Sequence, residues 1–181
     1  MIRTRVGYTG GTVADPTYYE LGDHTETLEV DFDPEVISYR ELLEIFWASH
    51  NPCARPWSLQ YRAAVFYHDA EQEELARETA AEAARSRGRE VHTAILPAER
   101  FYLAEDYHQK YHLRRVSQLE REYEEIYPDL QDFVDSTAAA RVNGYLAGHG
   151  KASAFRSELD RLGLSSEGQA LLSRYAQGLG D

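Results

Sequence analysis

Between residues 61 and 98 the sequence changes its period twice, and this constrains the fold more than any other feature. YRAAVFYH, at 61–68, is a short aromatic and β-branched run that reads as a strand. Asp69 then stands in a helix N-cap position, the alanine-rich EQEELARETAAEAARSR follows, and Gly88 ends it. VHTAILPA reads as the next strand. An earlier passage has the same grammar. TLEVDF, at 27–32, alternates with Leu28, Val30 and Phe32 on one face and Glu29 and Asp31 on the other. Asp33-Pro34 breaks it, and Ser38 with Glu41 forms a capping-box signature for a helix reaching about His50, with Leu42, Leu43, Phe46 and Trp47 as its apolar stripe. Two strand-helix-strand passages in succession predict an α+β fold with helices packed on one face of a sheet.

After Phe101 the pattern becomes helical. The spacing predicts one charged helix from Ala104 to Tyr127, stopped by Pro128, then short helical patches divided by NGYLAGHG and LGLSSEG. The 181 residues thus divide into 1–112 and a helical extension, 113–181.

Composition narrows the function classes. The net charge of -12, from 31 acidic against 19 basic residues, repels phosphate backbones, so nucleic acid is not an expected partner. No run of about 18 apolar residues is present, so no membrane span is expected, and the first residues lack the apolar core of a secretory signal. A cytoplasmic location is the resulting expectation. The single cysteine, Cys53, cannot form an internal disulfide and rules out a zinc site of paired cysteines.

The stretch GYTGGTVADPTYYELGDHTETLEVDF, at 7–32, concentrates permissive backbone and acid-base side chains. Gly10-Gly11 admits positive φ and close backbone approach, and Asp15-Pro16 sets a turn ahead of Tyr18 and Tyr19. Glu26 precedes the strand, and a carboxyl group screened there by aromatic rings is suited to donate a proton. The same residues also read as core aromatics and a solvated strand-edge carboxylate. His108 and His112, at i and i+4, have a metal-ligand spacing, but no third ligand block supports a metal.

Six blocks in order, VGYTGG, DPTYYEL, DHTETLEVDFDP, ISYRELLEIFWASHNP, QYRAAVFYH and FYLAEDYHQKY, resemble the A-type peptide methionine sulfoxide reductases over about residues 2 to 112. The resemblance implies a two-layer α/β sandwich with a ferredoxin-like core. It implies reduction of peptide-bound or free methionine (S)-sulfoxide, with no bound cofactor and with thioredoxin or another external thiol as reductant. Glu26 matches the family's proton donor, and Tyr18 and Tyr61 match the tyrosines that bind the sulfoxide oxygen.

Departures from the family pattern are equally specific. The family's nucleophile lies in GCFWG, upstream of the block that VGYTGG matches, and no such motif occurs in this sequence. The first strand and helix of the family are therefore expected to be missing, with Met1 standing where the family has a valine and apolar sheet surface left exposed. Cys53, after the C-terminus of a helix whose dipole opposes a thiolate, reads as an incidental thiol. NPCARPWSLQY offers no counterpart to the family's acidic loop residue, and Leu146 stands where the resolving cysteine would be. A catalytically inactive binding or interaction module of the same fold is the alternative these departures leave open.

Overall fold

A computed structural model describes residues 1–180. The chain forms two compact units, Val6–Ala104 and Met1–Arg5 with Glu105–Asp181.

The first of these is α+β. Strands β1 (Arg3–Thr9, from Val6 onward in this unit), β2 (Thr25–Asp31) and β5 (Tyr102–Leu103) form a sheet of order β2-β1-β5. β1 and β5 run antiparallel, with Gly7 opposite Leu103 and Tyr8 opposite Tyr102. Strands β3 (Ala64–Tyr67) and β4 (Ala94–Pro97) form a separate parallel pair in the register Ala64 to Ala94 and Tyr67 to Pro97. Parallel neighbours need a crossover, and helix α2 (Ala70–Arg87) supplies it. The second predicted passage is therefore a βαβ unit. The first instead links the two sheets, through helix α1 (Tyr39–Ser49).

Both helices begin and end where their caps dictate. Ser38 Oγ accepts from the Glu41 amide, and the Glu41 carboxylate accepts from the Ser38 amide, which completes the capping box. Asp69 caps α2 through the Gln72 amide, and Gly88, at φ 60°, terminates it. Leu43 and Trp47 of α1 pack on Ala76 and Ala83 of α2 and on Val65 of β3. The alanines allow the helices to approach closely enough for the buried Trp47 indole N–H to donate to Thr79 Oγ1 at 2.9 Å. Thr79 in turn donates to the Leu75 carbonyl at 2.8 Å, so neither buried polar group is left unmatched. Leu42, expected on the apolar stripe, is only half-buried. Leu28 is exposed, whereas Val30 and Phe32 of the same face are half-buried and Phe32 stacks on Tyr39.

The other unit is helical. It holds α3 (Tyr111–Arg114), α4 (Ser117–Ile126), α5 (Leu130–Asp135), α6 (Thr137–Leu146), α7 (Ala152–Glu158) and α8 (Ser166–Tyr175) around Leu113, Leu119, Tyr123, Val134, Val142, Phe155 and Leu172. The single helix predicted from Ala104 to Tyr127 is not formed. A 3₁₀ turn at Asp106–His108 precedes α3, and Lys110 between them has φ 52°, outside the right-handed helical region. The break is held by the buried Lys110 side chain, whose Nζ donates to the carbonyls of Thr4 at 2.6 Å and Val134 at 2.7 Å. His108 and His112 consequently lie in different elements, not on one helical face. Leu146 ends α6 and packs against the helical core. Among the described residues no helix is long and apolar enough to cross a membrane.

Candidate functional site

The loop from Gly10 to His24 carries Tyr18, and its shape is set by polar contacts at its base. Gly10 has φ 75°, and a Cβ there would lie 2.5 Å from the Phe66 ring, so this position excludes larger residues on both counts. The Gly11 amide donates to His24 Nδ1 at 3.2 Å. Nδ1 is thus the acceptor, and the proton lies on Nε2, which donates to the Val13 carbonyl at 2.7 Å. Asp23 closes the other side. Its carboxylate accepts from the Thr12 amide at 2.7 Å and from Thr12 Oγ1 at 3.1 Å, and the amide bond holds the Asp23 carboxyl below its usual range.

The segment 59–62 docks on the first residues of β2. Arg62 Nε donates to Thr25 Oγ1 at 2.7 Å, Thr25 Oγ1 donates to the Leu59 carbonyl at 3.1 Å, and the Glu26 amide donates to the Gln60 carbonyl at 3.0 Å. Arg62 also reaches the Gly10 carbonyl at 3.3 Å, joining this segment to the glycine turn. Three separate stretches of sequence are thereby fixed around one point.

That point brings together all three residues singled out in the sequence. The hydroxyls of Tyr18 and Tyr61 lie 3.3 Å apart, within hydrogen-bond reach. Gln60 Nε2 donates to Glu26 Oε1 at 2.7 Å and to Tyr61 Oη at 3.0 Å, so a single amide bridges carboxyl group and phenol. The hydrogen bond with Tyr18, partial burial and the Glu26 charge push the Tyr61 hydroxyl up to about 12. It is therefore a proton-bearing donor throughout the neutral range. Glu26 is exposed, and its carboxyl group accepts from the Gln60 amide instead of lying behind the aromatic screen expected from the sequence. Two hydroxyl donors beside a carboxyl group are suited to hold a strongly polar oxygen acceptor and deliver a proton to it.

Residues that sequence reasoning passed over complete the arrangement. Gln60 and Arg62 flank Tyr61 in QYR, and His24 and Asp23 precede Glu26; their roles depend on contacts across 11 to 52 residues, which a local reading does not reveal. Trp57 packs on Tyr61 with ring centroids 5.0 Å apart and the rings tilted by 34°, and Tyr19 packs edge-on against Tyr18 at 5.4 Å. Cys53 is buried, and its amide donates to Asn51 Oδ1 at 3.2 Å. Among the described residues no three His, Cys, Asp or Glu side chains are grouped to hold a metal ion.

Comparison with known proteins gives consistent matches. The family model described as peptide methionine sulfoxide reductase matches residues 1–142. A peptide methionine sulfoxide reductase of Drosophila melanogaster is 42% identical over 167 residues, covering 91% of this chain and 67% of that protein. Peptide methionine sulfoxide reductase A5 of Oryza sativa is 39% identical over 153 residues, covering 81% of this chain and 59% of the relative. Among solved structures, reduced Mxr1 of Saccharomyces cerevisiae superposes with a TM-score of 0.57 at 29% identity, covering 64% of this chain and 71% of that one. The chain thus spans about three fifths to two thirds of the length of these curated relatives.

Proposed function

The chain belongs to the peptide methionine sulfoxide reductase family, whose function is thiol-dependent reduction of methionine sulfoxide, and on that premise we propose that it handles the sulfoxide oxygen of methionine (S)-sulfoxide during such a reduction. The observation that carries this reading is the cluster of Tyr18, Tyr61, Gln60 and Glu26. A sulfoxide oxygen accepts from the two tyrosine hydroxyls, which offsets the loss of its hydration; leaving such an acceptor unmatched in a desolvated site costs about 1 to 3 kcal/mol. Glu26 serves to deliver a proton to that oxygen as the S–O bond breaks. Gln60, by donating to Oε1, leaves the second carboxyl oxygen to carry the proton.

The electron count defines what else the reaction needs. Methionine sulfur gains two electrons and the attacking cysteine sulfur loses two, taking the oxygen as a sulfenic acid. Cys53 is the only cysteine in this sequence and is buried, so the attacking thiolate is a cysteine supplied from outside these 181 residues. Two equivalents of an external thiol, supplied by a thioredoxin-like dithiol, then return the sulfenic acid to thiol with release of water and a disulfide. Leu146, packed in the helical core, supplies no resolving sulfur. The substrates are oxidised proteins or free methionine sulfoxide. The family match continues past residue 112 and takes in α3, α4 and α5, so the division at 112/113 remains a proposal of this reading.

Calorimetric titration with N-acetyl-methionine (S)-sulfoxide and with N-acetyl-methionine tests the oxygen subsite. The sulfoxide binds more tightly, and Tyr18→Phe or Tyr61→Phe removes the difference; equal affinities for sulfoxide and thioether overturn the reading. With the nucleophilic cysteine supplied in trans and dithiothreitol as reductant, turnover that is lost in Glu26→Gln distinguishes reductase from a binding module of the same fold.

A further inference from the structure

We propose that Trp57 determines specificity, forming the contact for the apolar side chain next to the methionine sulfoxide in a peptide substrate. The inference rests on the assignment of Tyr18, Tyr61 and Glu26 to the sulfoxide oxygen. Trp57 is 80% exposed, an unusual environment for the largest side chain of the unit, whereas Trp47 is buried in its core. The Trp57 indole is not loosely placed. It leans on the Tyr61 ring at 5.0 Å with an interplanar angle of 34°, and Tyr61 is held at its other end by Tyr18 and Gln60. An aromatic face is thus presented one ring outward from the hydroxyls that would hold the oxygen.

Tyr19 mirrors it. Its ring is 86% exposed and packs at 85° against Tyr18, the second hydroxyl donor. The polar cluster is therefore flanked by exposed aromatic rings from two different loops. Aromatic side chains held in place at little entropic cost are the type most often responsible for anchoring a bound chain.

The chemistry of these rings selects their occupant. Free methionine sulfoxide carries an ammonium and a carboxylate on its α-carbon, and any contact of these charges with the flanking rings costs them hydration. A peptide places neutral amides and a neighbouring side chain there. An apolar neighbour such as leucine removes both its own surface and the indole face from water, while alanine removes little.

Calorimetric titration of the intact chain with two peptides, acetyl-Met(S-sulfoxide)-Leu-amide and acetyl-Met(S-sulfoxide)-Ala-amide, tests the assignment. Binding of the leucine peptide is expected to be tighter by ~5- to 10-fold, as its extra buried apolar area implies. Trp57→Ala abolishes this ratio, so that the two peptides bind with affinities within about twofold of each other. Trp57→Phe, which keeps a ring, retains part of it. An unchanged ratio in Trp57→Ala overturns the proposal while leaving the oxygen subsite intact, provided that Tyr18→Phe weakens both peptides. If Tyr18→Phe affects neither peptide, the oxygen assignment fails and the role of Trp57 fails with it.

Discussion

His24 is the residue whose replacement should report most directly on how the Tyr18 loop is built. Its ring is buried and makes one hydrogen bond in each direction, accepting from Gly11 through Nδ1 and donating to Val13 through Nε2. His24→Asn retains an acceptor near the Nδ1 position, and His24→Gln retains a donor near Nε2. The Val13 carbonyl belongs to a residue that is 40% exposed, so water can replace the donor lost in His24→Asn, and the cost should be about 1 kcal/mol. The Gly11 amide is less accessible, and His24→Gln leaves it without an acceptor at about 1 to 3 kcal/mol. His24→Ala removes both bonds and leaves a cavity, for about 3 to 5 kcal/mol. Urea denaturation followed by the fluorescence of Trp47, buried in the same unit, measures all three. The predicted order of cost is alanine, then glutamine, then asparagine. Equal costs for His24→Ala and His24→Asn, or a loss below about 0.5 kcal/mol for alanine, would refute the reasoning.

Three other outcomes are expected. Thr79→Val keeps the shape of the helix contact but leaves the buried Trp47 N–H without an acceptor, and should destabilise by about 1 to 3 kcal/mol in the same urea assay. The Tyr61 hydroxyl, raised from 10.0 to about 12, stabilises the fold below pH 10, and that contribution disappears as pH rises through about 12. Ultraviolet difference titration should show that Tyr61→Phe removes a late-titrating phenol, and loss of one that titrates near 10 would contradict this. Burial lowers Lys110 from 10.5 to about 8, so between these values the unfolded chain holds a proton that the folded amine has released. Stability should therefore rise across that window relative to Lys110→Met, by roughly 3 kcal/mol at most; a flat difference would rule out the shift.

The elements legible in the sequence were those determined by neighbours in the chain. Ser38 with Glu41, and Asp69 with Gly88, specify α1 and α2 almost to the residue, because a cap is satisfied within one turn. The run from 104 to 127 was misleading for the opposite reason. Its helical period is real in α3 and α4, but Lys110 exchanges a helical conformation for two carbonyls at residues 4 and 134, which no local window contains. The alternation around Leu28 likewise marks a strand without revealing whether anything covers it. In the candidate site, Tyr18, Glu26 and Tyr61 were legible through the ordered sequence blocks. Gln60, Arg62 and His24 were not singled out, since polar residues flanking a motif acquire their roles only when separate segments dock.

If Tyr18 and Tyr61 hold the sulfoxide oxygen as proposed, the hydrogen bond between them makes the pair a latch as well. One hydroxyl donates to the other, so only one of the two protons is free, and a ligand oxygen that accepts from both must first break their bond. A sulfoxide oxygen repays that exchange by accepting from both; a thioether has nothing to offer in return. On the same proposal, the two hydroxyls regain each other once the oxygen has left the methionine, and their reunion favours departure of the product.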